Sequence, residues 1–282
     1  DTWKSRRDKL CSNGFCFEYS ATFGQAVKKD KKLLEEYAKA TLFDYSYKYF
    51  HNDGYGKDYL ILNLNSTWND ITLTRYLTAC LLNFYEQLRV FRENRNVLRP
   101  FLIEKPLAVF VGGSVNADKS IGKQEVSDIV FILKFFQQFI SQSDEAIENI
   151  ESILKGSDGL VDDGGRPIFA RSFNYLRGQH GLRAQDVYQD ILSLIFNSNV
   201  SGAQLHLDDL RGKDGEIGLR IGNAEYFGII NVGNSNSLAK RCEAEGISTM
   251  TKDYTESSLF ATINEPNSSL NVLIGSKKFT EG

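Results

Sequence analysis

Two hydrophobic periods alternate along this chain. Leu33, Leu34, Tyr37, Ala38, Leu42 and Tyr45 recur at helical spacing across residues 31–50 and predict an amphipathic helix. Asn52-Asp53-Gly54 stops it. A long helix is expected from Thr72 to Val97, with Asp70 as its N-cap. Helical patterns follow over 123–141, 143–155, 184–197 and 235–245, the last closed by Gly246, and a short one over 257–264. Between them stand short apolar runs. FCFEY at 15–19 and DYLILNL at 58–64 read as strands, the first of them buried. LAVFVGG at 107–113 is uninterrupted and suits a strand buried on both faces of a parallel sheet. Strands are expected at 203–207, 216–221 and 225–231, the latter two forming a hairpin with Gly222-Asn223 at its turn. LNVLIGS at 270–276 is the last strand.

Alternating strands and helices imply an α/β fold with a parallel sheet, whose sites lie at the carboxyl ends of strands. Pro100 and Pro106 bracket a linker, which suggests domains over 1–100 and 101–282. The stretch 156–167 is a loop rich in Gly and Asp.

Composition narrows the class. The 282 residues suffice for one large or two modest domains, and 41% apolar with 24% charged residues is a globular balance. No apolar run of about 18 residues predicts a membrane span. The amino-terminal sequence lacks the apolar core of a signal peptide. Cys11, Cys16, Cys80 and Cys242 are too sparse for a disulfide framework and read as reduced thiols of a cytoplasmic protein. The net charge of −3 argues against a uniformly basic nucleic-acid coat but leaves room for a local basic groove. The sole Met is Met250, the chain opens at Asp1 within helix- or turn-like sequence, and it closes at Gly282 directly after a strand-like run. We therefore read it as an internal segment of a larger protein.

Candidate chemistry concentrates at strand ends. Three apolar runs close on small or hydroxyl residues: Ser20-Ala21-Thr22, Gly112-Gly113-Ser114 and Gly275-Ser276. Small residues let a ligand approach the backbone, and hydroxyls can bond phosphate. Residues 113–120 nearly fit a phosphate loop, but Asp118 stands where the second glycine is needed. A carboxylate there would repel a nucleotide, so the segment reads as a solvated loop. Asp162-Asp163 and Asp208-Asp209 could hold Mg²⁺, although adjacent residues tend to point apart, and solvated loop acids are the simpler account. His51, His180 and His206 have no metal-type spacing, and no nucleophile elbow appears. Arg89, Arg92, Arg95 and Arg99 form a helical stripe that could touch phosphates or merely be solvated.

Four strings carry a resemblance: FEYSATFGQAV at 17–27, EYAKATLFDYSYKYF at 36–50, RPFLIEKPLAVFVGGSV at 99–115 and LNVLIGSKKFTEG at 270–282. Together they resemble the restriction (Res) subunit of type III restriction enzymes, a branch of the superfamily 2 helicase-like ATPases. The resemblance spans nearly the whole chain and is weakest over 156–250. It implies two incomplete RecA-like lobes, each a parallel sheet flanked by helices: the later part of the first over 1–100 and the opening part of the second over 101–282, with an insertion around 156–250. Ser20, Ala21 and Thr22 would match motif III, which couples ATP hydrolysis to nucleic-acid contact. Phe110, Val111, Gly112, Gly113 and Ser114 would match the region of motif IV. Gly275, Ser276, Lys277, Thr280, Glu281 and Gly282 would match motif V, which contacts the nucleic-acid backbone and senses nucleotide.

By the same resemblance, the intact parent would bind ATP and Mg²⁺, act on DNA, and cleave it with a methyltransferase partner subunit. Related phage-defence or plasmid enzymes share this architecture. The family's phosphate loop and acidic metal motif do not occur in the chain, so the segment alone is expected to be inactive, with no catalytic residue of its own and neither ATP nor Mg²⁺ bound. Open sheet edges in two partial lobes would favour a homodimer. A non-catalytic nucleic-acid-binding scaffold is the alternative.

Overall fold

The computed structural model describes residues 2–20, 23–24, 30–56, 58–111, 127–213, 215–232, 235–254 and 257–275. Two compact units divide it, Asp1–Ile61 and Leu62–Gly282.

The first unit holds helices α1 (Thr2–Leu10), α2 (Lys31–Ala38) and α3 (Tyr47–Asn52). Asp30 caps α2, its carboxylate accepting from the backbone N–H of Lys32 at 3.0 Å and of Leu33 at 3.1 Å. Neither α2 nor α3 buries a residue. Aromatic rings meet each other instead: Tyr47 contacts Phe50, His51 and Tyr59. The strand expected at 15–19 is absent. Those residues are irregular, with Phe15 82% and Tyr19 92% exposed. Residues 58–64 also form no strand. An apolar run becomes a strand only where a neighbour completes its ladder, and neither run has one among the described residues.

The second unit opens with Leu62 and Leu64 against its core. Helix α4 (Asp70–Glu93) follows, capped by Asn69 rather than Asp70: the Asn69 side chain accepts from the Thr72 N–H at 2.9 Å. Leu77, Leu81, Leu82, Tyr85 and Leu88 form its buried face at three- and four-residue spacing. A break at Asn94 separates it from the short α5 (Arg95–Leu98) and a 3₁₀ turn (Arg99–Phe101). Helix α4 packs on α7 (Ser143–Lys155) and α9 (Ala184–Leu194). It therefore belongs with the later part of the chain, and the division between units falls after Ile61 rather than in the 100–106 linker.

Among the described residues, six strands form one sheet in the order β1-β6-β4-β3-β2-β5. They are β1 (Ala108–Val111), β2 (Leu205–Arg211), β3 (Glu216–Ile221), β4 (Gly228–Asn231), β5 (Ser248–Asp253) and β6 (Val272–Gly275). Strands β1, β6 and β4 are mutually parallel, as are β2 and β5, whereas β3 runs against both its neighbours. Five strands therefore share one direction.

The connections decide which face each segment covers. Between β1 and β2 run α6 (Ser127–Ser141), α7, α8 (Asn174–Arg177) and α9, and between β4 and β5 runs α10 (Ser235–Ala244). Both crossovers move across the sheet in the same sense, so the right-handed rule puts these helices on one face. The large core lies there. Phe136 of α6 meets Phe110, Phe196 and Phe227 with ring centroids 5.7, 5.5 and 6.1 Å apart. The return from β5 to β6 goes the other way and covers the opposite face, where Leu259 and Leu270 pack with Leu210, Ile229 and Leu273. Residues 257–264, expected as a helix, form turns there.

Strand β1 departs from expectation. It ends the sheet and alternates half-buried with exposed residues, Val109 and Val111 facing out, so it is not buried on both faces. Strand β5, STMTKD, has no apolar period and was not anticipated. No helix among the described residues is long and apolar enough to cross a membrane.

Glu86 and Arg177 are among the charged side chains that hold the long segment between α7 and α9. The Glu86 carboxylate of α4 accepts from the N–H groups of Phe173, Tyr175 and Leu176 at 3.2, 2.9 and 3.2 Å, at the start of α8. Arg177 donates to the carbonyls of Ile153 and Leu154 at the end of α7, at 3.0 and 2.9 Å. Glu86→Ala strands three N–H donors and is expected to lower unfolding free energy by about 1–3 kcal/mol. Chemical denaturation reads this directly, and Glu86→Gln, which keeps one acceptor, should lose less.

Candidate functional site

The carboxyl edge of the co-directional strands is where an α/β sheet places its ligands. Val111, Gly275 and Asn231 end β1, β6 and β4 in matched register: Val111 pairs with Gly275, and Gly275 with Asn231. With strands about 4.8 Å apart, the three ends span about 10 Å. Glu216 stands beside Asn231 at the start of β3. Its carboxylate is buried and already engaged, accepting from the Ser258 hydroxyl and from the Leu259 N–H at 3.1 Å.

The sequence candidates distribute unevenly over this frame. Phe110 turns into the helical core as a packing residue, and Val111 is exposed at the strand end. Gly275 is buried beside it. Gly112, Gly113, Ser114, Ser276, Lys277, Thr280, Glu281 and Gly282 lie outside the described residues, as does the loop 113–120. In the first unit, Ser20 is exposed, and Ala21 and Thr22 lie outside the described residues. The structure thus aligns the strands that lead into two of the three junctions.

The acid pairs are occupied by the protein itself. Asp162 closes its own turn, accepting from the N–H of Gly164 at 2.9 Å and of Arg166 at 3.0 Å and pairing with the Arg166 guanidinium at 2.8 Å. These bonds, Arg166 foremost, hold its carboxyl below the usual range. Asp163 accepts from the Ser66 N–H at 2.8 Å. Asp208 and Asp209 lie in β2, not in a loop, and successive strand residues face opposite sides. Among the described residues no three His, Cys, Asp or Glu side chains gather to hold a metal ion.

The histidines are equally dispersed. His51 contacts Asp58 at 3.0 Å, His206 contacts the Ser248 hydroxyl at 3.1 Å, and His180 is exposed. Burial pushes the His206 imidazole below its ordinary value. Of the arginine stripe, Arg89 is bound to Glu93 at 2.7 Å, while Arg92, Arg95 and Arg99 are exposed.

One polar constellation escaped the sequence. On the face away from the large core, Asp208 is fully buried and receives a bidentate bond from Arg220, at 2.7 and 3.0 Å. The Tyr226 hydroxyl donates to the same carboxylate at 2.8 Å. Lys252 lies over the Tyr226 ring, 5.4 Å from its centroid, and donates to its hydroxyl at 3.3 Å. Burial and the neighbouring Asp208 push the Tyr226 phenol well above its ordinary value, so it stays a donor. Once 205–211 is a strand, the two-residue period would have found this face, because His206, Asp208 and Leu210 share it.

Chemically, the described residues can bind and orient, but each of these buried carboxylates is already committed to a partner. Comparison with protein-family models, with characterised proteins and with solved structures found no match.

Proposed function

We propose that this chain is a segment of an ATP-dependent DNA translocase of the type III restriction kind, and that the carboxyl edge of β1, β6 and β4 is its share of a nucleotide-and-DNA clamp. In this reading, residues from Leu62 onward belong largely to a RecA-like lobe. The adjacent, parallel and in-register ends of β1 and β6 carry the proposal: two strings that resemble motifs IV and V, far apart in sequence, belong to neighbouring strands. ATP, Mg²⁺ and a methyltransferase subunit would be partners of the intact cytoplasmic parent.

A non-catalytic DNA-binding scaffold is the second reading, favoured by the commitment of Asp162, Asp163 and Asp208 to internal bonds. A phosphate loop and an acidic metal motif encoded upstream would favour the ATPase over the scaffold.

Both readings require DNA contact through phosphates. Fluorescence anisotropy with a short labelled duplex should show weak binding that falls steeply between low and moderate salt, because phosphate contacts release counterions. An affinity indifferent to salt would sink both.

A further inference from the structure

Within the first unit, helix α1 runs out into the turn Ser12-Asn13-Gly14, whose three residues are all exposed. Of all the asparagines in the chain, only Asn13 is followed by glycine. The backbone bonds of this turn are local. The Ser12 N–H donates to the Lys9 carbonyl at 3.5 Å, and the Gly14 N–H to the Cys11 carbonyl at 3.1 Å. Nothing lies within 4 Å of the place a Cβ would take on Gly14, so the backbone there is uncrowded.

This pairing of residues has a chemistry of its own. An asparagine amide carbon and the backbone nitrogen of the next residue can close a five-membered ring. The main chain must rotate to bring them together, and a side chain on the second residue obstructs that rotation. Glycine has none and turns freely. One bond must open first, the Gly14 N–H to Cys11, and it belongs to the fraying end of a helix. The fold treats other asparagines differently. Asn197 precedes Ser198, a small residue, yet its amide donates to the carbonyls of Tyr226 and Ser269 at 3.1 and 3.0 Å. The Ser198 N–H donates to the Leu192 carbonyl at 2.9 Å, so both reacting groups are held. Asn65 precedes Ser66, whose N–H is held by Asp163 at 2.8 Å.

We propose that Asn13-Gly14 is a site of spontaneous covalent self-modification, in which water replaces the side-chain amide nitrogen. The Gly14 nitrogen, relieved of its proton by hydroxide, attacks Asn13 Cγ. The N–Cγ bond forms, the Cγ–Nδ2 bond breaks, and the nitrogen leaves as ammonia after taking a proton from water. Water then opens the cyclic imide at either carbonyl and leaves aspartate or isoaspartate. Nothing is oxidised or reduced. The product carries a new carboxylate just past the carboxyl end of α1, where the helix dipole disfavours negative charge. Isoaspartate also adds one main-chain carbon between α1 and Glu18, which pairs with Arg7 of α1 at 3.0 Å.

The test ages the whole chain in mildly alkaline and mildly acidic buffers, digests it in acid, and maps peptides by mass spectrometry. The Asn13 peptide should convert to a mixture of aspartate and isoaspartate, faster in the alkaline buffer, while the Asn197 peptide stays intact. In urea, which releases its partners, Asn197 should convert as well. Asn13→Gln should lose the more acidic species on ion exchange, and Gly14→Ala should slow its appearance severalfold. Conversion of Asn197 ahead of Asn13 in the folded chain would overturn the proposal. So would a product free of isoaspartate, which would mean direct hydrolysis without the ring, or an undiminished rate in Gly14→Ala.

Discussion

Replacing Asp208 with alanine is expected to lower the unfolding free energy by about 3–5 kcal/mol, because it leaves a buried guanidinium without its counter-charge. Asp208 has no exposed surface, and only 13% of the Arg220 side chain is exposed. The carboxylate is also the acceptor for the Tyr226 hydroxyl, so that donor is stranded too. The pair itself is a poor source of net stability, since desolvating both charges offsets most of their attraction. This asymmetry gives a sharp control. Asp208→Leu combined with Arg220→Met removes both charges at similar volume and should lie within about 1–2 kcal/mol of the parent chain. Urea titrations of the three proteins distinguish the cases. A single variant as stable as the parent would mean that water reaches Arg220 freely.

Gly215→Ala should be comparably severe, for a backbone reason. Gly215 has φ +72, and a Cβ built there would lie 1.9 Å from the Val232 carbonyl oxygen. That oxygen cannot retreat easily, because the Val232 N–H donates to the Gly215 carbonyl at 3.0 Å where β4 leaves β3. The left-handed conformation alone costs about 1–2 kcal/mol for an L-residue. Adding the clash should carry the loss into the range of about 4–5 kcal/mol that marks exceptional substitutions. Gly222→Ala supplies the comparison: φ is +53, but nothing lies within 4 Å of the added carbon. It should cost only the conformational part, about 1–2 kcal/mol. Equal losses at the two glycines would refute the steric account. An unchanged denaturant slope in both would show that the folded state, not the compactness of the unfolded chain, was altered.

Periodicity made most helices legible. Helices α4, α6, α7, α9 and α10 fall where apolar spacing puts them, because each buries one stripe against a common core. Strands β3 and β4 were legible through alternation and the Gly222-Asn223 turn. FCFEY and DYLILNL misled for the opposite reason: their residues are strand-like, yet a ladder depends on a neighbour that no local pattern encodes. Strand β5 was invisible because its side chains are half-exposed or exposed, and its place comes from pairing with β2. At the candidate site, the strands leading to Val111 and Gly275 could be read, and their adjacency could not. Asp208 was read as a loop acid because its partner Arg220 lies on the next strand, and a linear scan does not see across a ladder.

The reversal of β3 has a consequence for how the sheet assembles. Strands β2, β3 and β4 form a meander of consecutive neighbours joined by short turns, so their contacts close early and at little entropic cost. Strand β1 must instead wait for β6, which arrives at the far end of the chain. Amide protons of the meander should therefore outlast those of β1 in hydrogen exchange. Strand β1, one of the three whose ends are proposed to face ligand, is then the least cooperative margin of the sheet, where binding energy can most readily be spent on completing the fold.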